Sequence, residues 1–160
     1  MAWAREFVTG EDGAMTATVL DLKLVRRIRS GGGGKTERSF LDFVLDGSSL
    51  FDVMEARGHD RITPLGWGDR ALEAATVRRL RLEEPPLLEG KREPIFVYAE
   101  CGDLGCGAVT AQISASKGLV QWSDFAWENT WEEPYRDGYE NLGPFLFEFR
   151  AYRAALTLDR

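Results

Sequence analysis

The chain is poor in the residues that most often carry chemistry. Histidine occurs once, at His59, and cysteine twice, at Cys101 and Cys106. A four-coordinate structural zinc site would need two ligands beyond the cysteines, and only His59 with a carboxylate could complete it, so no metal is expected. A Ser/His/Asp relay would have to run through His59, which has no nucleophile-elbow pattern beside it and reads as a solvated loop residue. No apolar run approaches the ~20 residues of a membrane-crossing helix. The opening MAWAREFVTGEDG carries acids early and has no apolar middle, unlike a secretory leader. So few cysteines argue against a disulfide framework and for a reducing, cytoplasmic compartment.

A phosphate-binding loop is also missing, although SGGGGKT imitates one. If Gly34, Lys35 and Thr36 ended the motif, its first glycine would fall at position 29, which is Arg29. The mechanism further needs a helix starting at the lysine, whereas ERSFLDFVLD reads as a strand. The glycine run reads instead as a flexible hairpin tip, and no cofactor is expected.

What is present is ordinary globular material, 44% hydrophobic and 29% charged, in a length of 160 residues that suits a single domain over 1–160. Charge is unevenly placed. Residues 1–82 hold 13 Lys/Arg against 12 Asp/Glu, while residues 83–160 hold 7 against 14. An acidic chain repels phosphate backbones, so nucleic acid is an unfavoured partner. The one basic patch, VRRIRS with Lys35 and Arg38, is small and reads as a solvated strand face.

Periodicity gives the fold. TATVLDLKLVRRI (16–28) and SFLDFVLD (39–46) alternate and predict an antiparallel hairpin around the glycine run. GSSLFDVMEARG predicts a short helix opened by Ser48 or Ser49 and stopped near Gly58. Asp69 can cap a second helix over about 70–82, ended by Pro85 and Pro86. PIFVYAEC, GAVTAQIS and LVQWSDFAW predict a three-stranded meander. After a turn-rich loop over 128–144, FLFEF predicts a late strand and RAYRAALTL a closing helix. The expected fold class is α+β: a single, mainly antiparallel sheet with two or three short helices on one face.

CGDLGC (101–106) reads as a hairpin loop, with the two cysteines facing each other at the strand ends across Gly102-Asp103-Leu104-Gly105. A redox pair normally has two intervening residues at a helix N-terminus, which this is not. A cross-strand thiol switch using Cys101 and Cys106 remains the alternative function. From about residue 94 onward, CGDLGC, VQWSDF (120–125), GPFLF (143–147) and AYRAAL (151–156) together resemble a family of small bacterial proteins common in actinobacteria. Gly107 stands where that family often has a large aromatic, and Glu148-Phe149 where an aspartate commonly caps the last helix. The resemblance implies the fold and the strand pairing, and brings no activity with it.

The densest chemistry is WSDFAWENTWEEPYRDGYE (122–140), with six carboxylates and a single arginine, Arg136. A two-carboxylate hydrolase would need one pair held apart from the rest, and the spacing isolates none. One reading buries Trp122 and leaves the loop's acids solvated. The sharper reading is an acidic, aromatic face made of Trp127, Glu128, Trp131, Glu132, Glu133 and Tyr135 that docks a basic protein partner. On that reading the chain is a non-enzymatic interaction module, immunity-like or inhibitor-like, working as a monomer or homodimer, with binding that weakens in salt.

Overall fold

The period-two stretch near the start of the chain divides among three sheets. The computed structural model describes residues 7–9 and 15–158, so most of the opening compared above with a secretory leader lies outside the described residues. Phe7–Thr9 (β1) and Met15–Ala17 (β2) pair antiparallel. Val19–Leu20 (β3) lies parallel to a strand from the far end of the chain, while Leu22–Arg29 (β4) begins a hairpin. The switch is at Asp21, whose N–H donates to Asp46 Oδ1 at 2.6 Å and whose carbonyl accepts from the Asp46 N–H at 2.9 Å. Leu20 and Leu22 therefore keep their alternation and their burial while their backbones serve different sheets.

Arg38–Leu45 (β5) pairs with β4 in the register Leu22↔Leu45 to Arg29↔Arg38. The glycine run between them is not slack. Gly32 and Lys35 exchange two backbone hydrogen bonds of 3.0 and 3.1 Å around Gly33-Gly34, whose φ values of 60° and 87° suit a tight two-residue turn. Ser48–Ser49 (β6) folds back on β5 through Asp46-Gly47 and leads into Leu50–Ala56 (α1). Ser49 caps α1 by accepting from the Asp52 N–H at 3.0 Å.

Arg61–Ile62 (β7) precedes Arg70–Leu80 (α2), which Asp69 caps by accepting from the N–H groups of Ala71 and Leu72 at 2.8 and 3.0 Å. Arg92–Tyr98 (β8), Ala108–Ser116 (β9) and Leu119–Glu128 (β10) form the expected meander, followed by Phe145–Glu148 (β11) and Phe149–Ala155 (α3). Glu148 caps α3 by accepting from the Ala151 N–H at 3.0 Å.

The fold is α+β and mainly antiparallel, but the expectation of a single sheet is corrected. A six-stranded sheet runs β3-β11-β10-β9-β8-β7, and β4-β5-β6 form a separate three-stranded sheet. The reason is local: at Asp21 and Asp46 the hairpin's end closes on itself, so it does not continue into the larger sheet. The core lies between, where the Phe43 ring meets Trp122 edge-on at 5.1 Å and Phe96 at 6.3 Å. Tyr152 of α3 seals it, accepting from Trp122 Nε1 at 3.0 Å and donating to the Leu80 carbonyl at 2.6 Å. Burial pushes this phenol well above its usual pKa, so it remains a donor. Among the described residues no helix is long and apolar enough to cross a membrane.

Candidate functional site

The acidic, aromatic segment is divided by one extra residue in β10. Ser123 lies opposite Gln112 and Ala126 opposite Thr110, so Asp124 and Phe125 together face one residue of β9, with Asp124 at φ 53°. This β-bulge resets the alternation. Trp122 opposes Ile113 and Trp127 opposes Val109, which puts both indoles on the core face; simple alternation would send them to opposite faces. Trp127 is accordingly half-buried against the core.

Glu128 goes the other way. It is buried and accepts from Arg92 Nε at 2.8 Å and from the Thr110 hydroxyl. Arg92 also donates to the Asp124 carboxylate at 3.1 Å and to its carbonyl at 2.7 Å. Arg136 reaches the same carboxylate with Nε and Nη2 at 2.7 and 2.9 Å, and these bonds hold Asp124 below the usual carboxylate range. The segment's single arginine is thus engaged by an acid of the same segment.

Past Glu128 the chain turns outward. Trp127 and Tyr135 exchange two backbone hydrogen bonds of 2.8 Å, closing a loop whose first turn is held by Asn129. Its Oδ1 accepts from the N–H groups of Trp131 and Glu132, both at 2.9 Å. Trp131 is 76% exposed and Tyr135 56% exposed, with Glu132 and Glu133 exposed beside them. Of the six residues singled out in this segment, these four reach solvent, and Trp127 and Glu128 support them from within.

The cysteine loop differs from a four-residue hairpin loop. β8 ends at Tyr98 and β9 begins at Ala108, so residues 99–107 form the connection and neither cysteine lies at a strand end. The Asp103 carboxylate accepts from the Gly105 N–H at 3.0 Å and starts a short 3-10 turn over Leu104–Cys106, which pulls the second cysteine out of the strand. Both thiols are free and exposed. A hydrogen bond with Cys101, then burial and the nearby Asp103 charge, push the Cys106 thiol above its ordinary pKa. Gly107 has φ 97°, and a Cβ there would stand 2.5 Å from Trp127 Nε1, so the indole occupies the space a larger side chain would need. The same loop touches Trp67 through Gly102 and Trp131 through Gly105, where a Cβ would lie 3.1 and 3.5 Å from the two rings.

A further feature was not anticipated. Between α2, β8 and the cysteine loop lies a cleft of about 370 Å³. Glu93 is fully buried beside it; both its oxygens lie 3.0 Å from Arg79 Nε, one accepts from the Leu87 N–H at 2.9 Å, and desolvation raises its pKa. Glu73 is buried and accepts from the Gly66 N–H. The sequence held one signal for this: Glu73, Thr76 and Leu80 form a helical stripe whose buried face contains a carboxylate.

The basic residues near the glycine turn are engaged. Arg27 pairs with Asp52 at 2.7 Å, Arg29 with Asp60 and Glu100 at 2.6 Å each, and Arg38 lies over Trp67 at 4.8 Å. His59 lies in a loop as expected, half-buried and stacked on Tyr139 at 5.2 Å, and burial lowers its pKa. Among the described residues no three His, Cys, Asp or Glu side chains converge as a metal set would require. Comparison of the chain with known protein families, curated proteins and solved structures finds no match.

Proposed function

We propose that the protein is a non-enzymatic interaction module of the inhibitor or immunity type, docking a basic protein partner through Trp131, Tyr135, Glu132 and Glu133. The observation that carries this reading is Trp131, a 76% exposed indole on a loop whose backbone is fixed by Asn129. An ordered, exposed tryptophan beside an exposed tyrosine supplies contact area at little entropic cost, the pattern of a binding hot spot. Glu132 and Glu133 are exposed next to it in the chain and Asp137 and Glu140 act on Tyr135, while Arg136 is engaged by Asp124. Such a field speeds the encounter with a cationic surface and weakens as salt screens it. The engaged arginines of β4 and β5 offer little to a phosphate backbone, which keeps nucleic acid unfavoured.

The test compares partner retention from a native cell extract by the wild type, by Trp131→Ala and by Glu132→Gln/Glu133→Gln. A basic protein held by the wild type, released by salt and lost from both variants is the expected result. Equal retention by all three proteins overturns the reading.

A second reading, a thiol sensor, is favoured by Cys101 and Cys106 being free, exposed and close enough to influence each other. Hydrogen peroxide would take two electrons and two protons from the pair, leaving one disulfide and two waters. The raised Cys106 pKa weighs against it, because the thiolate is the reactive form. Replacing both cysteines by serine abolishes the response of a sensor and leaves a docking module unaltered.

A further inference from the structure

We propose that Arg57, His59 and Arg61 form a binding site for a phosphate-type dianion, either free or at the end of a small phosphomonoester. Many arginines of this acidic chain are held by carboxylates, but among the described residues neither Arg57 nor Arg61 forms an ion pair. Two neighbouring acids are engaged elsewhere. Asp60, between His59 and Arg61 in the chain, pairs with Arg29 at 2.6 Å. Glu140, whose charge reaches Arg57 without pairing with it, accepts from the Gly138 N–H at 2.6 Å.

Two aromatic rings and two backbone carbonyls fix the three side chains. Arg57 Nη1 donates to the Gly138 carbonyl, and the next residue, Tyr139, is buried with the His59 ring stacked on it at 5.2 Å. Arg61 of β7 stands opposite Tyr98 of β8, its guanidinium 5.5 Å from the centre of that ring. Its Nη1 donates to the Asp60 carbonyl at 3.3 Å, while its Nε is buried and has no hydrogen-bond partner. An orphaned donor on a buried cation is costly, and an oxygen of a bound ion would satisfy it. Burial and the charges of Arg61 and Arg57 hold the His59 imidazole below its ordinary pKa, and a dianion between them would relieve that repulsion.

The class of ligand follows from the donors. Each guanidinium offers a planar fork of N–H groups suited to oxyanions. A carboxylate fills one such fork, whereas a tetrahedral phosphate has oxygens for both and for the imidazole. This site does not depend on the reading of the Trp131 face.

His59 is the chain's single histidine, so its ring resonances report on this site alone. Inorganic phosphate, titrated at constant ionic strength, should shift them saturably. Arg57→Gln and Arg61→Gln should each weaken binding at least about fivefold. Arg61→Lys keeps the charge without the fork and should fall between Arg61→Gln and wild type. Arg150→Gln removes an exposed, unpaired arginine elsewhere and should change nothing. Tighter binding of phenyl phosphate would assign the site to a phosphomonoester, and equal or weaker binding to the free ion. In the wild type, sulfate should raise the His59 pKa by at least about half a pH unit over chloride at the same ionic strength. Equal His59 titrations in the two salts overturn the proposal, as does phosphate binding that both glutamine variants retain or that Arg150→Gln weakens as much.

Discussion

Residues 122–128 and 129–140 are neighbours with the same vocabulary of tryptophan, tyrosine and carboxylate, yet they take opposite positions. The first stretch is a strand whose indoles face the core and whose last acid is locked to Arg92. The second is a loop that holds Trp131 and Tyr135 in water. What separates them is the partner each residue finds. β9 covers one stretch with a register of paired residues, whereas the other is tied to the fold at separate points, by the Trp127–Tyr135 bridge, the Arg136–Asp124 pair, the buried Tyr139 ring on His59 and the contact of Trp131 with Gly105. A carboxylate is therefore framework or contact surface according to whether a guanidinium lies behind it.

The contrast breaks most directly at Glu128. Glu128→Ala leaves Arg92 buried without its closest acid, and a broken buried pair of this kind costs about 3–5 kcal/mol. Urea unfolding should show that loss as a lower midpoint at unchanged slope. A loss under about 1 kcal/mol would mean that the Arg92 cluster is not what fixes the inner stretch. Gly107→Ala should come next, at about 2 kcal/mol, because the residue has φ 97° and its new methyl would meet Trp127. Adding Trp127→Leu should recover part of it, and no recovery would leave backbone strain as the sole cause.

Local signals were the legible ones. Ser49 and Asp69 announce their helices because a capping hydroxyl or carboxylate needs only the next three residues. The turn at Lys117-Gly118 and the strands around it are local too. Asp46-Gly47 is an equally strong hairpin signal that could have revealed β6, and with it the separate sheet. The bulge at Asp124 was not legible, since an extra residue exists only relative to β9, and it decides which of Trp127 and Glu128 points inward. The cleft is assembled from α2, β8 and two loops distant in sequence, so only its buried-face carboxylate, Glu73, left a trace.

A smaller, pH-dependent effect separates paired acids from bare ones. Glu100 accepts from the Thr36 N–H at 3.0 Å and from Arg29 at 2.6 Å, which brings its pKa from 4.5 down to about 2. A carboxylate depressed in the folded state stabilises it above the unfolded pKa, and that contribution is lost as pH falls from about 4.5 toward 2. Glu93, raised by burial, acts in the opposite sense, since its protonation favours the folded state. Glu100→Gln should lower the unfolding midpoint at neutral pH and flatten its decline through the acid range. An unchanged acid slope would show that the glycine turn is not held to the cysteine loop by this charge.

The smallest effect on stability is expected where the effect on binding is largest. Trp122→Ala would empty a core site at a cost of about 3–5 kcal/mol, whereas Trp131→Ala removes a side chain that already faces water and should stay within about 0.5 kcal/mol of wild type. The loop should survive, because Asn129 holds it through backbone N–H groups that the substitution keeps. Matched urea curves for Trp131→Ala and wild type, together with loss of the basic partner, would place the indole's role entirely in recognition. A destabilisation above about 1 kcal/mol would instead make Trp131 a cover over Gly105 and the cysteine loop, and the exposed half of the segment would then be framework like the inner half.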